Sequence, residues 1–101
     1  MKSFGEMVKQ AQKLQKQMTE VQAKLAEERY EATAGGGVVK AVVDGKQMLR
    51  ELKIDPSLLK EGDVTLIEDL VLAAVSEAQN ASEKQMNETL GKLTGGFPLP
   101  F

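Results

Sequence analysis

Neither Pro nor Gly occurs between Asp63 and Gly91, so nothing in the covalent chemistry of that stretch interrupts a helix. Ile67, Leu70, Val71, Ala74, Val75, Ala78 and Ala81 recur there at spacings of three and four, which places them on one side of a helix. The stripe then thins to Met86, Leu90 and Leu93. Thr65 to Glu68 fits a capping box and Asp63 is a competing cap, so the helix starts near one or the other and runs to about Lys92. A helix of about 28 residues is roughly 42 Å long at about 1.5 Å per residue. A compact chain of about 100 residues has a radius of gyration of about 13 Å. The helix is therefore expected to project beyond the body, and its polar second half, Ser82 to Glu88, suits a projecting arm.

A second helix is predicted over residues 5 to 27, which lack Pro and internal Gly beyond Gly5 and are rich in Gln, Lys, Glu, Ala and Met. Phe4, Met7, Ala11, Leu14, Met18, Val21 and Leu25 alternate at spacings of three and four, a heptad stripe. So narrow a seam fits packing against another long helix, and equally a helix lying on its own sheet. Between the two helices lie three runs with strand character: Arg29 to Thr33, Val38 to Val43 and Lys46 to Ile54. Ala34-Gly35-Gly36-Gly37 ends the first, and Asp44-Gly45 separates the second from the third as a hairpin signal. The expectation is a three-stranded antiparallel meander, with a bulge near Leu49 where alternation fails. In the middle strand Val39 and Val43 point one way and Val38 and Val42 the other. With helices on one face, the second is left for a partner subunit. Asp55-Pro56 reads as an N-cap and first helical residue of one short turn.

The chain has no Cys, His or Trp. That removes disulfides, thiolate nucleophiles, imidazole acid–base chemistry and the usual zinc ligand sets. No nucleophile and base can be paired, and no enzyme, cofactor or small-molecule substrate is expected. No apolar run approaches a membrane span and no signal-peptide core opens the chain, so a cytoplasmic protein is expected. Gly35 to Gly37 lacks the ending of a phosphate-binding P-loop and reads as a hairpin loop. Glu68 with Asp69, and Glu61 with Asp63, fit acids at a helix start better than a metal site. Met7, Met18 and Met86 sit at core spacing.

The formal charge of −2 argues, taken alone, against a nucleic-acid binder, yet the charges are polarised. Residues 1–27 carry a net +2, residues 28–60 a net +1 and residues 61–101 a net −5. Lys9, Lys13 and Lys16 share one helix face. Such a stripe can track phosphates and release counterions, although on charge patterning alone a solvated helix face is the simpler reading.

Several strings, taken in order, resemble the YbaB/EbfC family of nucleoid-associated proteins over nearly the whole chain. They are Val8-Lys9-Gln10-Ala11-Gln12-Lys13-Leu14-Gln15-Lys16-Gln17-Met18, Gly36-Gly37-Val38-Val39-Lys40 with Asp44-Gly45, Ile54-Asp55-Pro56-Ser57-Leu58-Leu59, Glu68-Asp69-Leu70-Val71 with Ala73-Ala74, and Pro100-Phe101. The resemblance implies an α+β fold of α-β-β-β-α order in one domain, 1–93, followed by a Gly/Pro-rich tail, 94–101. It also implies a tweezer-like homodimer, located at the nucleoid, that binds double-stranded DNA, alters its conformation and affects gene expression. Carried onto this sequence, its DNA contacts fall on Lys9, Lys13 and Lys16, with Lys2 and Lys24 next. Lys84 and Lys92 stand among acids on the second arm. The rival reading is a protein-interaction module that holds a replication or repair partner through its helices.

Overall fold

The computed structural model describes residues 3–94. In chain order these form α1 (Phe4–Glu27), β1 (Tyr30–Ala34), β2 (Val39–Val43), β3 (Leu49–Ile54), α2 (Ser57–Glu61) and α3 (Val64–Thr94). The strands make one antiparallel sheet in the order β1-β2-β3. This is the expected α-β-β-β-α arrangement, with α2 as one short turn before the last helix.

Local chemistry sets the boundaries. The Ser3 side chain accepts the Glu6 N–H at the start of α1, and Asp55 Oδ1 accepts the Ser57 N–H at 2.8 Å before α2. Of the two candidate caps for α3, Asp63 is the one in use: its carboxylate accepts the Leu66 N–H at 3.0 Å. The helix passes through Gly91 to Thr94, a little beyond the expected end. Gly35, Gly36 and Gly37 take φ of 64°, 74° and 99°, backbone that other residues adopt only with strain, and so turn β1 into β2.

Register explains the irregular third strand. Val42 pairs with Glu51 but Val43 pairs with Leu49, leaving Arg50 as the extra residue of a bulge. The bulge reverses the alternation, so Leu49, Leu52 and Ile54 all share the face of Val43, Ala41 and Val39. Tyr30, Ala32 and Ala34 of β1 complete that face. Against it packs α3, through Ala74 and Ala78, with Leu58 of α2; these residues and Val39, Ala41 and Val43 form the buried core. Alanines at positions 41, 74 and 78 let helix and sheet backbones approach closely.

Three expectations need correction. Val38 does not point away from the core with Val42: it precedes the strand, and its side chain packs against the core cluster. Ala81 is exposed, and the buried residue one position on is Ser82, whose hydroxyl donates to the Asp44 carbonyl at 2.7 Å. The sheet face opposite α3 is also largely polar. It carries Glu31, Thr33, Lys40, Glu51 and Lys53 around Val42, with ion pairs Lys40–Glu31 and Lys53–Glu51. The uncovered apolar residues lie instead on the α3 side. There Leu49, Leu52 and Ile54 remain 42%, 40% and 37% exposed, because α3 packs on β1 and β2.

The molecule measures 69 × 20 × 16 Å with a radius of gyration of 19.3 Å, well above the compact value of about 13 Å. Projecting helices account for the difference. Leu25 is the only buried residue of α1, so that helix neither lies on the sheet nor packs along its whole seam. Met7, expected at a core position, is 58% exposed.

Candidate nucleic-acid interface

The lysine stripe and the apolar seam of α1 occupy opposite sides of one helix. At about 100° per residue, Lys9 stands half a turn from Met18, and Lys13 and Lys16 flank Lys9 on either side. All three are exposed, and among the described residues none of them forms an ion pair. Lys24 is exposed on the same broad side, nearer the body and at the last turn of the helix, where a cation complements the helix dipole. Lys2 lies outside the described residues. The structure therefore brings Lys9, Lys13 and Lys16 together as one row and sets Lys24 apart from them. Lys84 and Lys92 are exposed on α3, remote in sequence from this row and close to Glu83 and Glu88.

What holds the arm is the β2–β3 turn. Asp44 is 1% exposed. Its carboxylate accepts the N–H groups of Lys46 at 2.8 Å and Met48 at 3.1 Å, and pairs with the Arg50 guanidinium at 2.9 Å. Burial pushes this carboxyl up, but the two backbone N–H groups and Arg50 outweigh it and hold its pKa below the ordinary value. The next residue, Gly45, donates its N–H to the Leu25 carbonyl of α1 at 2.7 Å. A Cβ at position 45 would lie 2.6 Å from that oxygen. The other side of the turn is tied to α3 by Ser82 and by Gln79, whose side-chain amide donates to the Gln47 carbonyl at 3.2 Å. One turn thus fixes both helices to the sheet. In the sequence Asp44-Gly45 is a hairpin signal, and nothing local to it marks this anchoring. Gly45 does not have the positive φ that usually accounts for such a glycine; Gln47 does, at 68°. The glycine is required by close approach to α1.

Tyr30 adds a second tie at the root of α1. Its hydroxyl donates to Glu28 Oε2 at 2.6 Å, and burial, that hydrogen bond and the Glu28 charge push its pKa up to about 12. Because the folded value lies above the ordinary 10.0, the stabilisation is complete below pH 10 and is lost as pH rises through about 12. Tyr30 is the only tyrosine and there is no Trp, so ultraviolet absorbance reads this group alone. We expect a midpoint near 12 in the folded protein and near 10 after unfolding in urea. A folded midpoint near 10 would show that the Glu28 contact is not held in solution.

Among the described residues no group of three or more acidic, His or Cys side chains is placed to hold a metal ion, and no helix is long and apolar enough to cross a membrane. The acids at 61, 63, 68 and 69 surround the start of α3, where Asp63 serves as the cap.

Residues 1–97 match the model of the YbaB/EbfC DNA-binding family. The chain belongs to that family. Its relatives include a nucleoid-associated protein of Thermoanaerobacter pseudethanolicus, 41% identical over 97% of this chain and 88% of the relative. A nucleoid-associated protein of Dictyoglomus turgidum is 41% identical over 99% of this chain and 96% of the relative, and one from Clostridium acetobutylicum is 40% identical over 97% and 88%. An uncharacterized protein of Helicobacter pylori superposes with a TM-score of 0.84 at 20% identity, covering 93% of this chain and 99% of its own. That likeness concerns the fold. Membership of the YbaB/EbfC family gives the chain a nucleoid-associated, DNA-binding function.

Proposed function

We propose that this YbaB/EbfC protein binds duplex DNA as a homodimer, each subunit laying the lysine face of α1 along the phosphate backbone. The observation that carries the reading is the row Lys9, Lys13 and Lys16, exposed, without acidic partners among the described residues and half a turn from the apolar seam. Lys24 extends the row toward the body, and Lys2, outside the described residues, is a further candidate contact by its charge alone. Ammonium groups on flexible stems act as point charges that neutralise phosphates with little base readout. Two such arms acting on one duplex would alter its path, which supports roles in nucleoid organisation and gene expression at a cytoplasmic, nucleoid location. Anisotropy titrations with random-sequence duplex DNA at salt concentrations from about 20 to 200 mM should give a linear fall of log affinity with log salt. Absence of binding at the lowest salt would end the reading.

The dimer rests on the uncovered part of the core face. Leu49, Leu52 and Ile54 continue the buried surface of β2 without a cover of their own, an apolar strip that a second copy related by a two-fold axis would bury. Leu52→Asp is expected to give a folded monomer at micromolar concentration in sedimentation equilibrium, with weakened DNA binding because the two arms are separated. A Leu52→Asp protein that sediments as the wild type would place the subunit contact elsewhere.

A further inference from the structure

The apolar seam of α1 is covered only at its root. Leu25 is buried and Met18, Val21 and Gln22 are half-buried, and Gln22 and Leu25 border a cavity of about 250 Å³ shared with Met86 and Leu90 of α3. Toward the helix start the cover ends: Phe4, Met7 and Leu14 are 81%, 58% and 44% exposed, and Ala11 is exposed between them. In heptad terms Phe4, Ala11 and Met18 take position a, and Met7 and Leu14 position d. The flanking e and g positions, whose charges select the partner of such a seam, are Val8, Gln10, Gln15 and Gln17. The charged side chains of this stretch, Glu6, Lys9, Lys13 and Lys16, all fall at c and f, away from the seam. The exposed half therefore carries nothing that attracts a charged partner helix and nothing that repels a copy of itself.

We propose that this exposed seam pairs, antiparallel, with the same seam of a second homodimer. The sizes of the side chains select the direction. In an antiparallel pair a faces d, and about a two-fold axis level with Lys9 Phe4 meets the partner's Leu14 while Met7 meets the partner's Ala11, a large side chain opposite a small one. The block from Phe4 to Leu14, about 15 Å long at about 1.5 Å per residue, thus maps onto itself, as an isologous contact requires. A parallel pair would set Ala11 against the partner's Ala11 and leave a void, and would align the two helix dipoles instead of opposing them. So short a contact is weak in dilute solution, but molecules held side by side on DNA reach effective concentrations on the order of millimolar. Because position f lies opposite the seam, paired helices turn their lysine rows outward in opposite directions. Resting on the reading of Lys9, Lys13 and Lys16 as phosphate contacts, the pair joins two duplexes, one on each side.

The chain has no Cys, so a short bis-maleimide reads the register directly. Met7→Cys protein mixed with Ala11→Cys protein, at about 1 mM, should cross-link to twice the chain mass on a denaturing gel, in several-fold higher yield than either protein alone. The linked species should sediment as four chains. Met7→Gln with Leu14→Gln alters only exposed positions and preserves charge and helix propensity. This variant should bind a single duplex within about twofold of wild type, yet bead-bound duplex carrying it should retain at least about tenfold less of a second, labelled duplex. Absence of the mixed cross-link overturns the proposal, as does equal cross-linking of Met7→Cys protein with itself. A linked species of two chains puts the contact inside one homodimer and overturns the bridge, and undiminished capture by the Gln variant does the same. The cross-link forms without DNA, so a protein that cross-links but binds no duplex sinks the lysine reading and the bridge while upholding the pairing.

Discussion

Reversing Lys9, Lys13 and Lys16 together to Glu is expected to abolish duplex binding while leaving helix content and oligomeric state unchanged. The three side chains are exposed and take part in no ion pair among the described residues, so the fold loses no contact with them. Glu is as compatible with helix as Lys. DNA, by contrast, meets a row whose charge has changed sign. Each lysine that neutralises a phosphate contributes about one unit to the salt dependence of log affinity. Single Lys→Ala changes should therefore each lower that slope by about one and weaken binding similarly on every sequence. The triple reversal removes the whole contribution of this face and adds repulsion, and the expected loss is at least about a hundredfold at low salt. Circular dichroism and sedimentation on the same samples separate a lost site from a lost fold. Wild-type affinity in the folded triple variant would move the DNA contact away from α1.

How much of this was legible in the sequence differs from element to element, for physical reasons. The helices and their spans followed from where Gly and Pro are absent, and the strand order from two glycine turns, because such signals act within a few residues. The lysine row was legible for the same reason, since helical spacing alone puts Lys9, Lys13 and Lys16 together. Contacts across the fold were not. Nothing local marks Ser82 rather than Ala81 as the buried position, because the choice is made by the Asp44 carbonyl, 38 residues away. The two-faced reading of β2 failed at Val38, which sits before the strand and turns in against the core. Broken alternation points to the bulge at Leu49 but not to its effect: Leu49 is brought onto the α3 side with Leu52 and Ile54, beyond the reach of α3. Gly45 shows the limit most plainly, for its identity pointed to the hairpin while its reason lies in the backbone of α1.

The turn that roots both helices gives the second large effect. Asp44→Ala leaves the Lys46 and Met48 N–H groups without their acceptor and Arg50 without its counter-ion. The pair is buried on the carboxylate side only, with Arg50 43% exposed, so water recovers part of the loss. We expect a cost of about 2 to 3 kcal/mol, which for a domain of this size lowers the melting temperature by about 10 to 20 °C at fixed protein concentration. The pH dependence follows from the sign of the shift. The folded pKa lies below the ordinary 3.8, so the native carboxylate stabilises the fold fully above about pH 4, and this contribution is lost as pH falls through the folded value. Urea unfolding of wild type and Asp44→Ala should therefore run parallel from about pH 7 to about pH 5 and converge below about pH 4. Asp44→Asn retains an acceptor for the turn but no charge for Arg50, and should fall between the two with no convergence of its own against Ala. Asp44→Ala also slackens the link between the turn and Leu25, so its DNA affinity should fall under conditions where it remains folded. A melting temperature within a degree or two of wild type would mean that the arm is rooted elsewhere than in this turn.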